Sequence, residues 1–204
     1  MNPETMEWLD KVGQRALCKR ETLWTTYWLA GYCCQFGIPG DFVECGVFAG
    51  VQVAAMVKAR QDFGDEKLRW IHALDSFDGI PSPTDEDGAE GPVLEGQSRC
   101  TVDQFEQHFL EWGTASGDLV LHPGLIENTA EELAGDGKRS IALLRLDADL
   151  YSPTKAALEV LRPLVVPGGW IIVDDYSLPG CKQAVDETCS PMEMAPLYWQ
   201  VGQK

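Results

Sequence analysis

The chain has 204 residues, of which 45% are hydrophobic, including seven Trp and seven Phe, so a mainly disordered chain is excluded and one globular domain is expected. Its 16 Lys and Arg residues stand against 32 Asp and Glu residues, and the formal net charge is −16. Such an acidic chain repels a phosphate backbone, so we expect no nucleic acid partner.

Neither a membrane segment nor a disulfide framework is predicted. The longest uncharged apolar stretches are far shorter than the roughly 20 residues that span a bilayer, and no basic-then-apolar signal opens the chain. We therefore expect a cytoplasmic protein with no membrane partner. The seven cysteines are odd in number, scattered, and without a CxxC or zinc spacing, which predicts free thiols.

The first predicted element is a helical prelude over 4–36, where apolar residues recur at three- and four-residue steps. Beyond it, short apolar runs rich in β-branched and aromatic residues predict strands at 42–43, 70–74, 119–121, 141–146 and 170–173. Between the strands, helices are predicted at 51–59, 102–112, 129–133 and 154–161. This alternation indicates an α/β fold with a mainly parallel, doubly wound sheet in one domain, 1–204.

One long segment, 79–99, interrupts the alternation after the second strand. It is rich in Pro, Gly and acidic residues, a composition typical of a functional lid or a disordered loop. Because it has little apolar surface to bury, we expect it to cover the substrate and to be mobile without ligand.

Acidic residues end four of the five predicted strands. Glu44 follows the first strand, Asp75 the second, Asp147 the fourth, and Asp174 with Asp175 the fifth. In an open doubly wound sheet, ligands bind outside the carboxyl ends of the strands, so these side chains should converge on one site. An acid at a strand end can instead cap the next helix, which explains one instance better than four.

The turn after the first strand contains Gly46 and Gly50, where a backbone without Cβ can approach a ligand closely. The two glycines can equally serve the turn and its packing, and the spacing does not match GxGxxG. Asp75, followed by Ser76, stands where an acid commonly accepts hydrogen bonds from ribose hydroxyls. A nucleoside ligand is therefore plausible from the residues alone.

Asp147, Asp174 and Asp175 are predicted at neighbouring strand ends, because the intervening chain accommodates one helix and the turn 167–169. Three such carboxylates repel one another unless a cation lies between them, and Mg²⁺ prefers oxygen ligands. We favour a metal site over a purely structural cluster. Asp147 is also the candidate catalytic base, whereas Asp149 is expected to cap the next helix.

The chain resembles the macrocin O-methyltransferase family of antibiotic-sugar methyltransferases in the ordered motifs DFVECGVFAG, LDSFDGIP, LLRLDADLYSPT, PGGWIIVDDY and LYWQ. The resemblance spans roughly residues 36–201, and its most specific part is the pair LDADLY and VDDY. It implies a class I Rossmann-like fold and an S-adenosylmethionine- and Mg²⁺-dependent O-methyltransferase of natural product biosynthesis. The implied acceptor is a small molecule with a sugar or another vicinal diol.

The resemblance also implies individual roles. The cofactor-binding residues would be Glu44, Cys45, Gly46, Gly50, Asp75 and Ser76, and the Mg²⁺ ligands would be Asp147, Asp174 and Asp175. The prelude and the segment 79–99 should form the acceptor wall. Since only 25 residues run from Gly180 to the end, the closing antiparallel strands of the family are expected to be reduced to one, near 197–201.

Alternative functions stay open at this point. A NAD-linked oxidoreductase is compatible with the fold, although the three-acid cluster argues against it. A non-catalytic nucleoside-binding protein is favoured only if the acids do not converge. Exposed aromatic residues of the prelude could form a homo-oligomer interface. His72, His108 and His122 are expected to be structural.

Overall fold

A computed structural model of the protein describes residues 2–65, 69–114, 117–135 and 139–189. None of the helices in these ranges is long and apolar enough to span a membrane. The predicted closing strand near 197–201 lies outside the described residues.

The centre of the fold is a five-stranded parallel sheet in the order β3-β2-β1-β4-β5. Its strands are β1 (Asp41–Cys45), β2 (Ile71–Asp75), β3 (Leu119–Pro123), β4 (Ile141–Leu146) and β5 (Val165–Val173). The chain runs outward from β1 to one edge of the sheet and then returns to β4 and β5, so the order reverses beside β1. The predicted α/β doubly wound architecture is confirmed.

Eight helices cover the sheet in the described ranges. They are α1 (Pro3–Val12), α2 (Arg20–Gln35), α3 (Val51–Phe63), α4 (Gly91–Leu94), α5 (Val102–Trp112), α6 (Ile126–Ala134), α7 (Tyr151–Leu161) and α8 (Pro179–Thr188). The prelude is two helices, because the 3₁₀ turn Gly13–Arg15 and an extended Ala16 separate α1 from α2. Helix α8 was not predicted.

Side-chain alternation along the strands divides the core into two layers. Phe42 and Leu143 point to the layer formed by α1, α2, α3 and α5. Val43 and Leu144 point to the opposite layer, formed by α6, α7 and α8. All residues of β4 are buried, which places its carboxyl end between the two layers at the centre of the molecule.

Two strand ends differ from the prediction. Glu44 lies inside β1 and Asp75 is the last residue of β2, so neither follows its strand. The predicted turn 167–169 is part of β5, where the register against β4 shifts between Ile141 and Leu143. Gly168 absorbs this irregularity with a φ of 86°, a conformation that glycine adopts without strain.

The segment 79–99 is folded back on itself. It contains the 3₁₀ turn Asp85–Asp87 and the short helix α4, and its two ends pair where Ile80 and Gln97 share a backbone hydrogen bond of 2.9 Å. It is therefore more ordered than a plain loop. Its mobility in solution stays a prediction.

Candidate functional site

A cavity of about 300 Å³ opens at the carboxyl ends of β1, β2, β4 and β5. Acids supply seven of its lining residues: Glu44, Asp75, Glu127, Asp147, Asp149, Asp174 and Asp175. No Lys or Arg lines the cavity among the described residues. The crevice predicted from the strand ends therefore exists, and its wall is strongly acidic.

Three of these acids converge. One carboxylate oxygen from each of Asp147, Asp174 and Asp175 lies within 4.8 Å of the other two. Burial is the main factor that raises the pKa of Asp174, and it raises the pKa of Asp175 to about 9. The convergence of the three carboxylates that the sequence predicts is therefore present in the structure.

The cation closest to this cluster is a residue that the sequence analysis missed. Arg145, fully buried in β4, donates to Glu44 Oε1 at 2.9 Å and to Asp147 Oδ2 at 2.7 Å, and it lies 3.2 Å from Asp174 Oδ2. Burial works against its charge, but the Asp147, Glu44 and Asp174 carboxylates outweigh burial and raise its pKa above the usual range. Repulsion among the acids is thus partly compensated without a metal, which weakens the electrostatic argument for one.

Glu44 is 1% exposed, yet only one of its oxygens has a hydrogen-bond partner among the described residues. Its Oε2 is buried and unpartnered at the cavity wall. Burial raises the pKa of Glu44 to about 8 against the lowering effect of Arg145. An unsatisfied buried acceptor is costly, so this oxygen fits a ligand with a hydrogen-bond donor, such as an ammonium group.

Two residues carried over as cofactor-binding do not line the cavity. Cys45 follows Glu44 in the same strand, so its side chain points to the opposite face and is fully buried in the layer of α6, α7 and α8. Gly50 faces Phe105 and Phe109, whose ring atoms would lie 2.5 and 2.6 Å from an added Cβ.

Gly46 lines the cavity, but its lack of a side chain serves packing. A Cβ at this position would lie 1.9 Å from the backbone oxygen of Asp147. At both glycines, then, the contact that excludes a Cβ is with the protein itself, which supports the turn-and-packing interpretation that the sequence left open.

Asp75 lines the cavity and also organises its rim. Its Oδ2 accepts from the backbone amides of Val47 at 2.7 Å and Phe48 at 3.0 Å, and its Oδ1 accepts from the amide of Phe77 at 2.7 Å. The carboxylate therefore fixes the turns after β1 and β2 together. Ser76 continues this arrangement by donating to the Gly79 carbonyl at 2.8 Å.

Backbone strain is concentrated at these turns. Phe48, Phe77 and Asp149 have φ values of 44°, 54° and 57°, a region that residues with side chains rarely adopt. They follow β1, β2 and β4, and two of them, Phe48 and Asp149, line the cavity. Such strain persists only where surrounding contacts impose it, and it is typical of functional sites.

Asp149 does not cap helix α7, as the sequence suggested. The helix begins after Leu150, and no side chain caps it through a local hydrogen bond. Asp149 instead lines the cavity, its amide donates to Asp175 Oδ2 at 3.0 Å, and burial together with the nearby Asp147 and Asp174 raises its pKa to about 7. Its left-handed backbone turns the side chain into the crevice; no local sequence signal indicates this.

The other walls come from the two segments expected to form them. Ala16, Leu17 and Cys18, between α1 and α2, line one side. The segment 79–99 also lines the cavity, through Gly79, Ile80, Pro81, Leu94, Gln97 and Ser98. The three histidines lie away from the cavity lining, consistent with a structural role.

The residues present fit both groups that the resemblance implies. The unpartnered Oε2 of Glu44 fits the ammonium of an amino acid moiety, and Asp75 lines the same cavity. The clustered oxygens of Asp147, Asp174 and Asp175 form a donor set suited to a hard divalent cation.

Comparison with known proteins gives a consistent family assignment. The model of the macrocin O-methyltransferase family, TylF, matches residues 29–195. The 8-demethyl-8-(2,3-dimethoxy-alpha-L-rhamnosyl)-tetracenomycin-C 4'-O-methyltransferase of Streptomyces olivaceus is 34% identical over 74% of this chain. The demethyldecarbamoylnovobiocin O-methyltransferase of Streptomyces niveus is 31% identical over 80% of this chain. The alignments cover only 58% and 66% of those two relatives.

Solved structures agree. The O-methyltransferase NovP has a TM-score of 0.74 at 27% identity, covering 84% of this chain and 72% of its own. The calicheamicin methyltransferase CalS11 has a TM-score of 0.72 at 24% identity, covering 100% of this chain and 91% of its own, and this likeness concerns the fold alone.

Proposed function

The chain belongs to the macrocin O-methyltransferase family, and from this premise we propose that it transfers a methyl group from S-adenosylmethionine to a hydroxyl of a small molecule, with Mg²⁺ as the metal. The proposed acceptor is a sugar or another vicinal diol carried by a natural product. Both curated relatives are named as O-methyltransferases, and one name specifies a rhamnosyl group.

One observation carries the proposal. The cavity combines, on neighbouring walls, an unpartnered buried carboxylate oxygen at Glu44, the acid Asp75 beside the glycine turn, and the convergent trio formed by Asp147, Asp174 and Asp175. Methyl transfer requires a methyl donor and an activated hydroxyl to be held in line. A cavity with adjoining subsites for both groups supports this reaction.

For the methyl donor, we assign the amino acid moiety to Glu44 and the ribose to Asp75. The buried Oε2 of Glu44 would accept from the ammonium group and so gain the partner that it lacks. Asp75 is held by three backbone amides, so its oxygens are fixed before any ligand arrives. Preorganisation of this kind lowers the entropy cost of binding.

We assign the metal to Asp147, Asp174 and Asp175. When bound, Mg²⁺ would lower the pKa of the acceptor hydroxyl and fix its position. Arg145 then has a positioning role, since it holds Asp147 and Asp174 through their Oδ2 atoms.

The sequence indicates Asp147 as the catalytic base, but its Oδ2 is already engaged in an ion pair with Arg145 at 2.7 Å. Asp149 is the better candidate. It lines the same cavity and has no cationic side chain beside it among the contacts of the described residues. We propose that Asp149 accepts the hydroxyl proton and that Asp147 serves the metal.

The decisive experiment incubates the purified protein with S-adenosylmethionine, Mg²⁺ and a panel of glycosylated natural products, and follows methylated products by mass spectrometry. We expect methylation of at least one vicinal diol, inhibited by a chelator. Native mass spectrometry of the protein as purified would separate the alternatives. Bound nicotinamide dinucleotide in place of S-adenosylhomocysteine would contradict the proposal.

Two variants distinguish the roles of the acids. Asp149→Asn should abolish turnover. Binding of Mn²⁺, which serves as the calorimetric probe of the proposed Mg²⁺ site, should stay nearly unchanged. Asp147→Asn should reduce turnover and should also weaken Mn²⁺ binding. Loss of Mn²⁺ binding in Asp149→Asn would assign this residue to the metal and leave the base unidentified.

A further inference from the structure

Asp87 is a buried acid that the proposed reaction does not use. It is 3% exposed, although it lies in the polar segment 79–99 between exposed neighbours. Burial of a carboxylate is unfavourable unless its oxygens are satisfied. Here both are satisfied: Oδ2 accepts from the amide of Thr84 at 2.8 Å and from its hydroxyl at 3.1 Å, and Oδ1 accepts from the amide of Tyr151 at 2.7 Å.

The contact with Tyr151 is a helix cap supplied from far along the chain. Tyr151 is the first residue of α7, and the amides of a first helical turn have no partner within their own helix. Asp87 satisfies one of them across 64 residues of sequence. The positive end of the helix dipole also favours the carboxylate there.

A second helix start closes around the same carboxylate. Gly180 is the second residue of α8, and a Cβ on it would lie 1.9 Å from Asp87 Oδ1. Gly91, within the segment itself, also packs closely against Asp87, since a Cβ on it would lie 2.7 Å from Cβ of Asp87. Glycine at both positions lets the carboxylate reach into the junction of α7 and α8.

This junction adjoins the proposed reaction centre. Helix α7 begins directly after the turn that carries Asp147 and Asp149, and α8 begins shortly after Asp174 and Asp175. On the other side of Asp87, the ends of the segment 79–99 line the cavity. A single buried carboxylate therefore connects the wall of the cavity to both helices that follow its acidic turns.

We propose that Asp87 is a positioning residue that fastens the segment 79–99 against the starts of α7 and α8, so that Ile80, Pro81 and Leu94 form a fixed apolar wall opposite the acids. The inference rests on the proposed function in one respect only, namely that the molecule in contact with this wall is the methyl acceptor. The segment then has a fixed point at Asp87, and any lid movement is confined to the parts on either side of it.

Asp87→Asn tests the proposal because it preserves the shape but turns an acceptor into a donor that faces amide donors. The matched control is Asp85→Asn, which removes the same charge from an exposed position in the same 3₁₀ turn. Hydrogen exchange in the free protein should show amides of 79–99 exchanging about tenfold faster or more in Asp87→Asn, and unchanged in Asp85→Asn. Calorimetric affinity for S-adenosylhomocysteine should stay within about threefold in both.

Gly180→Ala provides an independent test, because it leaves Asp87 intact but places a methyl group where the Asp87 carboxylate lies. Like Asp87→Asn, this variant should accelerate hydrogen exchange of the amides of 79–99. Once an acceptor that the protein methylates has been identified, Asp87→Asn and Gly180→Ala should each raise the KM for that acceptor about tenfold or more. The KM for S-adenosylmethionine should change little. Unchanged exchange across 79–99 in both variants would overturn the proposal, whatever the activity. Failure of S-adenosylhomocysteine to bind the wild-type protein would instead count against the proposed function.

Discussion

Two clusters of charged residues lie toward opposite ends of the strands, and they differ in the balance between acidic and basic side chains. Toward the amino ends of the strands, Asp41 accepts from Arg139 at 3.1 Å and lies 3.4 Å from His72, which contacts His122 at 3.0 Å. We call this the Asp41 cluster. At the carboxyl ends, seven acids line a cavity whose nearest cation is Arg145, buried beneath them.

This difference in charge balance suits the Asp41 cluster to a structural role and the acids at the carboxyl ends to ligand binding. In the Asp41 cluster one carboxylate faces one guanidinium, and burial lowers the pKa of His122 to about 4, so its imidazole stays neutral. The carboxylate of Asp41 therefore has a cationic partner of its own. At the carboxyl ends, within the described part of the chain, the acids outnumber the guanidinium of Arg145, and the buried Oε2 of Glu44 lacks a hydrogen-bond partner. An incomplete cluster at a strained crevice is suited to receiving cationic ligands.

The largest effect should come from Arg145→Met. It removes the cation shared by Glu44, Asp147 and Asp174, and an uncompensated buried charge costs about 3 to 5 kcal/mol of unfolding free energy. The matched variant in the Asp41 cluster is Arg139→Met. Its side chain is 37% exposed, so the cost there should be below about 1 kcal/mol. Urea denaturation measures both, and similar losses would erase the distinction between the clusters.

The next effect concerns the metal. Asp174→Asn and Asp175→Asn each preserve the shape and remove one charge, so each should weaken Mg²⁺ binding and reduce turnover on the order of 10²-fold. A chelator should reproduce this loss in the wild-type protein. The affinity for S-adenosylmethionine should barely change, because its proposed contacts are on β1 and β2. Asp186→Asn, on the exposed surface of α8, is the control. Full activity in excess chelator would make the trio structural.

A smaller effect is expected at Asp75. Replacing it with Asn should weaken binding of S-adenosylmethionine by about 1.5 to 3 kcal/mol, since a charged acceptor for the ribose is lost and the turn at Val47 and Phe48 is loosened. Calorimetry should show this, with Asp78→Asn as a control whose side chain is 73% exposed. Equal affinities for both variants would exclude Asp75 from the cofactor site.

The smallest effect is a pH dependence of the Asp41 cluster. His122 has a folded pKa of about 4, lowered by burial and by the nearby His72 and Arg139 from an ordinary value of 6.5. Between these values the unfolded chain binds more protons, so this residue makes stability fall as pH decreases from 6.5 toward 4. Because the imidazole is only half-buried, the contribution is on the order of 1 kcal/mol.

The variant His122→Gln should flatten this part of the stability curve relative to wild type. Thermal unfolding between pH 4 and 7 measures it, and His108→Gln controls for the loss of an imidazole elsewhere. A steeper curve in His122→Gln would reverse the assigned direction of the pKa shift.

Local patterns in the sequence were sufficient for the fold class and for much of the site. The alternation of apolar strands and amphipathic helices specified a parallel sheet, and the positions of Asp147, Asp174 and Asp175 after two strands specified their convergence. Both conclusions depend only on periodicity and on the rule that parallel strands end at one edge. The apolar face of a strand and the turn that follows it are encoded within a few residues.

Contacts between distant elements required the tertiary structure. Arg145 is one residue of an apolar strand in the sequence, and only the register of β4 against β1 places it beside Glu44. Cys45, which the resemblance implies as cofactor-binding, lies in β1 with its side chain on the face opposite that of Glu44, and only the extent of β1 in the structure shows this. Asp87 and Gly180 have no sequence signal that relates them. Partnership across strands and helices depends on register and packing, which local propensity does not determine.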